Sequence, residues 1–426
     1  MNPLELTDAA PVRRSRIPAT LRESDFRRFW FGETISLFGD QITLIALPLA
    51  GVLALHASPA EMGYLTAAGI APALVFSLHA GAWLDRRGRR RQTMLVTVLG
   101  RAALLVTIPI AYWLDILTLA QLYVVAFLIG TLSVLFFVAY TTLFVSLVPR
   151  ERYLEANSLL NGSRAFSFVG GPSVGGLLVQ ALSAPGALIL DAVSFLASAF
   201  TLGSIKPVEP PTEEATQGHV REGMRYLWRS PVIRASLLAT ATINFFNFVF
   251  WALFILYATR TLGVRPGLLG LVLGAGAIRG VIGSILTGRI SRKLGVGPTY
   301  VLSCVLFPAP LVLVPLAHGS QPRWMILTLL FASEFLSGFG VMLLDIVSGS
   351  IKTALIPDRL RARVAGAYMV VNYGVRPLGA LLGGALGTWI GLRPTLWIAT
   401  TAAIAGVLWL LPSPVMKMRE LPEVEE

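Results

Sequence analysis

Charge is scarce in this chain. Of 426 residues only 14% are Asp, Glu, Lys or Arg, against about a quarter in an ordinary soluble domain. That shortfall excludes intrinsic disorder and argues against a soluble enzyme. Cysteine is scarcer still: Cys304 stands alone, so an intramolecular disulfide is excluded and a buried, inert thiol is expected. The four histidines, His56, His79, His219 and His318, are scattered with no H-E-x-x-H spacing, which leaves a membrane metalloprotease without support. Neither a metal nor a cofactor is expected. No G-x-x-x-x-G-K-[ST] loop exists, since Lys352 and Thr353 follow Ile351, so ATP is not the expected energy source. Residues 1–28 hold six arginines and no short apolar core before a cleavage site, so no signal peptide is read there.

What the chain has in abundance is apolar sequence, 55% of its residues, gathered into runs long enough to cross a bilayer core of about 30 Å. Candidate spans lie at 29–55, 62–82, 93–113, 118–146, 158–182, 186–204, 235–258, 266–288, 298–317, 324–348, 365–391 and 394–412. The net charge of +12 would suit nucleic acid, but position gives it another meaning. Of the 35 Lys and Arg residues, 27 fall in segments on one side of these spans, and only Arg260, Arg265, Arg323 and Arg393 fall on the other. Cytoplasmic loops retain positive charge, so both termini are expected in the cytoplasm of a bacterial-type inner membrane, with no nucleic-acid partner.

The chain also repeats itself. A shift of 207 residues lays Gly63, Ala68, Gly69, Gly81 and Gly88 on Gly270, Ala275, Gly276, Gly288 and Gly295. A shift of 208 lays Pro149, Gly171, Gly175 and Gly176 on Pro357, Gly379, Gly383 and Gly384. Membrane composition alone would give stray glycine matches, but not ordered ones at two places with nearly one offset. The expectation is therefore an all-α membrane protein with about twelve transmembrane helices in two pseudo-symmetric six-helix bundles. Its parts would be a cytoplasmic tail (1–28), a first bundle (29–204), a cytoplasmic linker (205–234), a second bundle (235–412) and a cytoplasmic C-terminal tail (413–426). Within the linker, Val220, Met224, Leu227 and Trp228 share one helical face and Arg221, Arg225 and Arg229 form a stripe. This predicts an amphipathic helix on the cytoplasmic lipid surface, with a protein docking site as the alternative.

The loop after the second span runs from Gly81 through Asp85, Arg86, Arg87, Gly88 and Arg89 to Arg91. It resembles the G-x-x-x-D-R-x-G-R-[RK] loop of the major facilitator superfamily, and the resemblance extends over about residues 26–412. It implies the major facilitator fold and a gate in which Asp85, Arg86 and Arg89 help latch the halves, with Gly81 and Gly88 allowing close approach. The second-half loop has Arg292 where Asp85 would be, so the latch is expected to be asymmetric. Gly171, Pro172, Gly175 and Gly176 resemble the G-P-x-x-G-G core of the family's antiporter motif, although Ser158 and Ser167 replace its upstream glycines. Those same small residues would serve helix packing in any case. The segments 148–160 and 221–231 are similar to loops of the branch holding bacterial macrolide efflux proteins and the enterobactin exporter. The fourth span lacks the arginine of proton-antiporting drug exporters, so proton coupling does not follow from the resemblance.

Ionisable residues inside lipid cost about 2.5–3.5 kcal/mol each on insertion scales and are therefore functional candidates. Glu33 and Asp40 share a face of the first span, Asn244 and Asn247 share a face of the seventh, and Glu334 lies mid-span in the tenth. Because the family's first, fourth, seventh and tenth spans line its cavity, the resemblance puts Asp40 and Glu334 beside the substrate path. There they would carry a proton or meet a cationic substrate. The alternative is static pairing with Arg101, Arg164 or Arg376. Aromatics on the fourth and seventh spans, Phe136, Phe137, Tyr140, Phe245, Phe246, Phe248, Phe250 and Trp251, suit a large apolar ligand or a lipid-facing surface. The reading is a monomeric secondary exporter of lipophilic small molecules, with the proton as coupling ion and the bilayer as its other partner. A dedicated carrier of a siderophore or lysophospholipid is the alternative of the same class. A non-transporting membrane sensor or scaffold is the alternative from another.

Overall fold

The structure, a computed structural model, describes residues 18–207 and 220–421, apart from the side chains at 78, 82, 85, 220, 276–281, 284 and 362. It is helical, with no strand among the described residues. In the first half come α1 (Ser24–Leu49), α2 (Pro59–Arg87), α3 (Arg90–Trp113), α4 (Leu119–Leu147), α5 (Tyr153–Leu182) and α6 (Ala184–Ser204). The short α7 (Val220–Arg229) follows. The second half comprises α8 (Pro231–Leu256), α9 (Pro266–Leu294), α10 (Val296–Leu306), the one-turn α11 (Leu313–Leu316), α12 (Arg323–Leu355), α13 (Asp358–Trp389) and α14 (Leu392–Ile404). Counting α10 with α11 and the turns around it as one segment, and setting α7 aside, each half has six long helical segments. Among the described residues eight of them are long and apolar enough, by length and composition alone, to cross a membrane. They come from both halves, so the chain folds as two six-helix bundles.

The duplication holds down to single hydrogen bonds. α1 and α8 each end in a turn of π-helix, Ala50–Ala54 and Tyr257–Thr261, 207 residues apart. After each turn the Ala57 and Val264 amides donate to Gly51 O and Ala258 O, both at 2.9 Å. His56 and Gly263 occupy left-handed backbone at the same shift, with φ of 53° and 64°. Pro59 and Pro266 then open α2 and α9, where proline's fixed φ and missing N–H cost nothing. Gly88 and Gly295 close those helices with φ of 63° and 92°. A side chain there would be strained, because L-residues seldom adopt positive φ.

The halves meet through glycines that the repeat brings into register. At one crossing Gly63 of α2 faces Gly384 of α13, and a Cβ on Gly63 would lie 2.8 Å from Gly384 Cα. At the other Gly270 of α9 faces Gly176 of α5, and a Cβ on Gly176 would lie 2.8 Å from Gly270 Cα. Within each half, Gly171 and Gly175 pack on Gln41 and Ile42 of α1, just as Gly379 and Gly383 pack on Phe245 and Val249 of α8. Small residues here let backbones touch where lipid offers no hydrophobic drive to association. Both inter-half crossings lie at the end remote from the 88–90 loop, here the far end. Toward the loop end a Cβ on Gly81, Gly162, Gly349 or Gly366 would meet nothing within 4 Å. Phe166 there is 66% exposed. The close glycine contacts between the halves among the described residues thus lie at the far end.

The linker helix departs from expectation. α7 does not keep its whole apolar face for lipid: Leu227 is fully buried in a cluster with Ile233, Leu237, Ile356, Val364, Ala367 and Tyr368, with Met224 packed against it. Glu222 pairs with Arg363, and the Tyr226 hydroxyl donates to Leu355 O at 2.6 Å. Arg221, Arg225 and Arg229 remain exposed. Trp228 stays half exposed beside them, not on the buried face with Leu227.

Candidate functional site

The residues singled out in the loop motif separate into turn and surface. Gly88 forms the left-handed cap of α2, its N–H donating to Leu84 O at 2.9 Å. A Cβ on Gly81 would meet nothing within 4 Å among the described residues, and Arg86 and Arg89 are exposed. The Asp85 side chain lies outside the described residues. Arg91, at the motif's end, donates to Leu202 O at 2.9 Å and Gly203 O at 2.5 Å, while Arg28 donates to Ser204 O at 2.8 Å. Two cations thus satisfy the orphan carbonyls at the C-terminus of α6, where the helix dipole is negative.

In the first half the candidate charges converge. Arg101 of α3 pairs with Asp40 of α1, and their side chains are 5% and 37% exposed. The guanidinium also lies 4.0 Å from the ring centroid of Phe195 on α6. Next to it, Asp191 of α6 is fully buried and accepts from Thr43, on the Asp40 face of α1, and from Ser194 at 2.9 Å. The packing of α1 on α6 encloses Asp191. Glu33, 6% exposed, is within electrostatic reach of Asp40, Arg164 and Arg101. Arg164 reaches over the Tyr140 ring, 5.3 Å from its centroid.

The second half is arranged differently. Glu334, Asp345 and Lys352 fall on one face of α12, about three and two turns apart. Glu334 is 3% exposed and so does not border the open space in this state, whereas Asp345 is exposed. The Lys352 ammonium sits 4.4 Å from the Tyr368 ring centroid. Arg376 of α13 lies 3.9 Å from the Tyr373 centroid and 5.3 Å from that of Phe248 on α8. Asn244 donates to Thr240 O in its own helix at 2.9 Å. Buried Asn247 Oδ1 and Asn372 Oδ1 have no hydrogen-bond partner among the described residues. Lys352 and Asn372 were not sequence candidates, because the lysine counted as a loop charge and asparagines are unremarkable one at a time. Spacing along α12 and α13 could have found them.

The aromatic runs divide between core and surface. Phe136 and Tyr140 are buried, Tyr140 stacking between Phe29 at 5.5 Å and Phe136 at 6.2 Å. Phe250 is fully buried against Phe254, while Phe137 is 57% exposed.

A profile of the Major Facilitator Superfamily matches residues 29–376 and 238–426. The chain belongs to that superfamily. It is a transporter and not an enzyme, and a multi-pass integral membrane protein. Among curated relatives it is 27% identical to "Uncharacterized MFS-type transporter YfiS" of Bacillus subtilis, covering 84% of this chain and 86% of that one. To "Multidrug efflux pump Tap" of Mycolicibacterium fortuitum it is 26% identical, with 84% and 88% covered. Among solved structures, a mutant of the nucleoside transporter NupG superposes with a TM-score of 0.74 at 11% identity, covering 91% of this chain and 99% of that one. A bacterial homologue of the iron transporter ferroportin, in its inward-facing state, gives 0.73 at 16%, covering 93% and 99%. These likenesses establish the fold.

Proposed function

We propose that this transporter is a secondary active exporter of lipophilic small molecules, of the drug and antibiotic efflux kind, exchanging substrate for protons by alternating access. The observation that carries the reading is the Asp40–Arg101 pair. Its arginine is enclosed and its carboxylate keeps more than a third of its surface open, about 24 Å along α1 from Ser24 at 1.5 Å per residue. A carboxylate so placed can trade its arginine for a proton when the surrounding helices move. Export draws support from the relatives named as multidrug efflux pumps and from the G-P-x-x-G-G segment packed on α1. The excess of arginine around the loop end favours a cytoplasmic loop end and cytoplasmic termini in a bacterial inner membrane, with a single chain as the working unit. In this state the cavity would take substrate from the cytoplasmic side, and Asp85, Arg86 and Arg89 would latch the halves in the opposite state. Asp40→Asn should abolish gradient-driven transport in everted vesicles at unchanged expression. Transport at the normal rate would remove Asp40 from the mechanism.

A further inference from the structure

Three observations in the second half converge on one place. Arg376 and Lys352 rest on the faces of Tyr373 and Tyr368, and neither lies within 4 Å of a carboxylate among the described residues. Asp345 faces both from within electrostatic reach but forms an ion pair with neither. Among the described residues the buried Arg376 Nε has no hydrogen-bond acceptor, and the amide oxygens of Asn372, one turn earlier on α13, and of Asn247, next to Phe248 on α8, have no donor. Guanidinium ions are costly to enclose without an acceptor, and cation–π contact offsets only part of that cost. In the first half Arg101 also has a buried Nε without an acceptor among the described residues, but its guanidinium is paired with the Asp40 carboxylate. Here the chain supplies aromatic platforms, with Tyr373 within hydrogen-bonding reach of the guanidinium, but no carboxylate in contact among the described residues.

We propose that Arg376, assisted by Lys352, is a subsite for an anionic group, a carboxylate, sulfonate or phosphate, carried on an apolar body. The aromatic faces of Phe248 and Tyr373 would hold that body beside the guanidinium, and Asn247 and Asn372 would accept from donors near the anion. Asp345 would compete with the anionic group for the same cations and so set a threshold that a weakly charged ligand does not pass. The transporter would thus accept lipophilic acids and zwitterions, and not only neutral or cationic compounds. This deepens the export reading and rests on it for its physiological meaning, while the binding itself is tested separately.

The test uses the full-length purified protein in phosphatidylcholine nanodiscs and two probes sharing one skeleton. These are 8-anilino-1-naphthalenesulfonate, which carries the anion, and N-phenyl-1-naphthylamine, which does not. Arg376→Gln should weaken saturable binding of the sulfonate about ten-fold or more and leave the neutral probe within two-fold. Arg376→Lys should recover part of the loss, and Lys352→Gln should cost less than Arg376→Gln. Asp345→Asn should tighten sulfonate binding several-fold, a gain that misfolding cannot mimic. Equal losses for both probes, no saturable sulfonate binding to the unmodified protein, or no tightening in Asp345→Asn would overturn the proposal. Adding phosphatidylglycerol to the nanodiscs identifies the source. Displacement of the sulfonate supports a lipid headgroup as occupant, and its persistence supports a soluble acid. Selective binding without vesicle transport would refute the export reading and leave the subsite standing.

Discussion

In the first half of this transporter Arg101 closes on Asp40 while Arg164 lies over the Tyr140 ring; in the second, Arg376 and Lys352 both lie on tyrosine rings with no carboxylate in contact among the described residues. The backbones around these charges are near copies, sharing the π-turns, the left-handed residues at 56 and 263, and the prolines that open α2 and α9. The charges are not copied. At a shift of 207 Asp40 corresponds to Asn247 and Arg101 to Pro308; at 208 Asp345, Lys352 and Arg376 correspond to Phe137, Phe144 and Phe168. Duplication therefore supplied a symmetric frame, and chemistry was added to each half separately. The proposed proton exchange calls for a carboxylate with a partner it can give up, and the proposed anion subsite for cations with no carboxylate in contact.

The strongest way to test the shared frame is to break its two crossings in turn. Gly176→Val and Gly384→Val each push a branched side chain into the facing backbone, where even a Cβ has only about 3 Å. Each should cut transport by about 100-fold or more and force the far ends apart, measured by spin-label distances between α2 and α13 and between α5 and α9. If only one crossing responds, the halves are not equivalent supports. The charges should then separate the halves. Arg101→Gln leaves Asp40 without its cation, and breaking a largely buried pair costs about 3 kcal/mol. Arg376→Gln removes no ion pair and should cost under about 1 kcal/mol, both read by thermal unfolding in detergent. Asp40→Asn combined with Arg101→Gln should recover much of the first loss; if it does not, the pair is not what Arg101 supports. The smallest effect belongs to the linker. Glu222→Gln breaks a half-exposed pair with Arg363, worth about 0.5 kcal/mol, and should speed hydrogen exchange in α7 without changing the probe preferences of the second half.

Much of the fold was legible because its signals are local. Apolar run length marks a span, and a glycine at a helix end marks a turn. The 207-residue shift joined Gly63 to Gly270 without any knowledge of what either touches. The candidate site was less legible. Glu33 and Asp40 were found on one face of α1 because helical periodicity is local too. Glu334 was placed with Asp40 beside the substrate path by its mid-span position and the family resemblance, yet it is buried, while Asp345 on the same face of α12 stands open. Lys352 was assigned to a loop because charge ends an apolar run, although the helix continues past it to Leu355. For α7 the amphipathic pattern was right about Leu227 and silent about what would cover it, since a protein surface and a lipid surface ask for the same apolar face.

By itself the sequence determined that this is a duplicated all-helical membrane protein, that the glycines repeated at the 207 and 208 shifts include those where backbones turn or touch, and that few charges enter the bilayer. Only tertiary structure decided which of those charges meet. Asp40 and Arg101 are 61 residues apart on helices whose rotation is fixed by their neighbours, and Arg376 faces aromatic rings on two helices. Helical periodicity sets the direction of a side chain relative to its own axis, but whether a partner stands there depends on how every axis is packed against the rest.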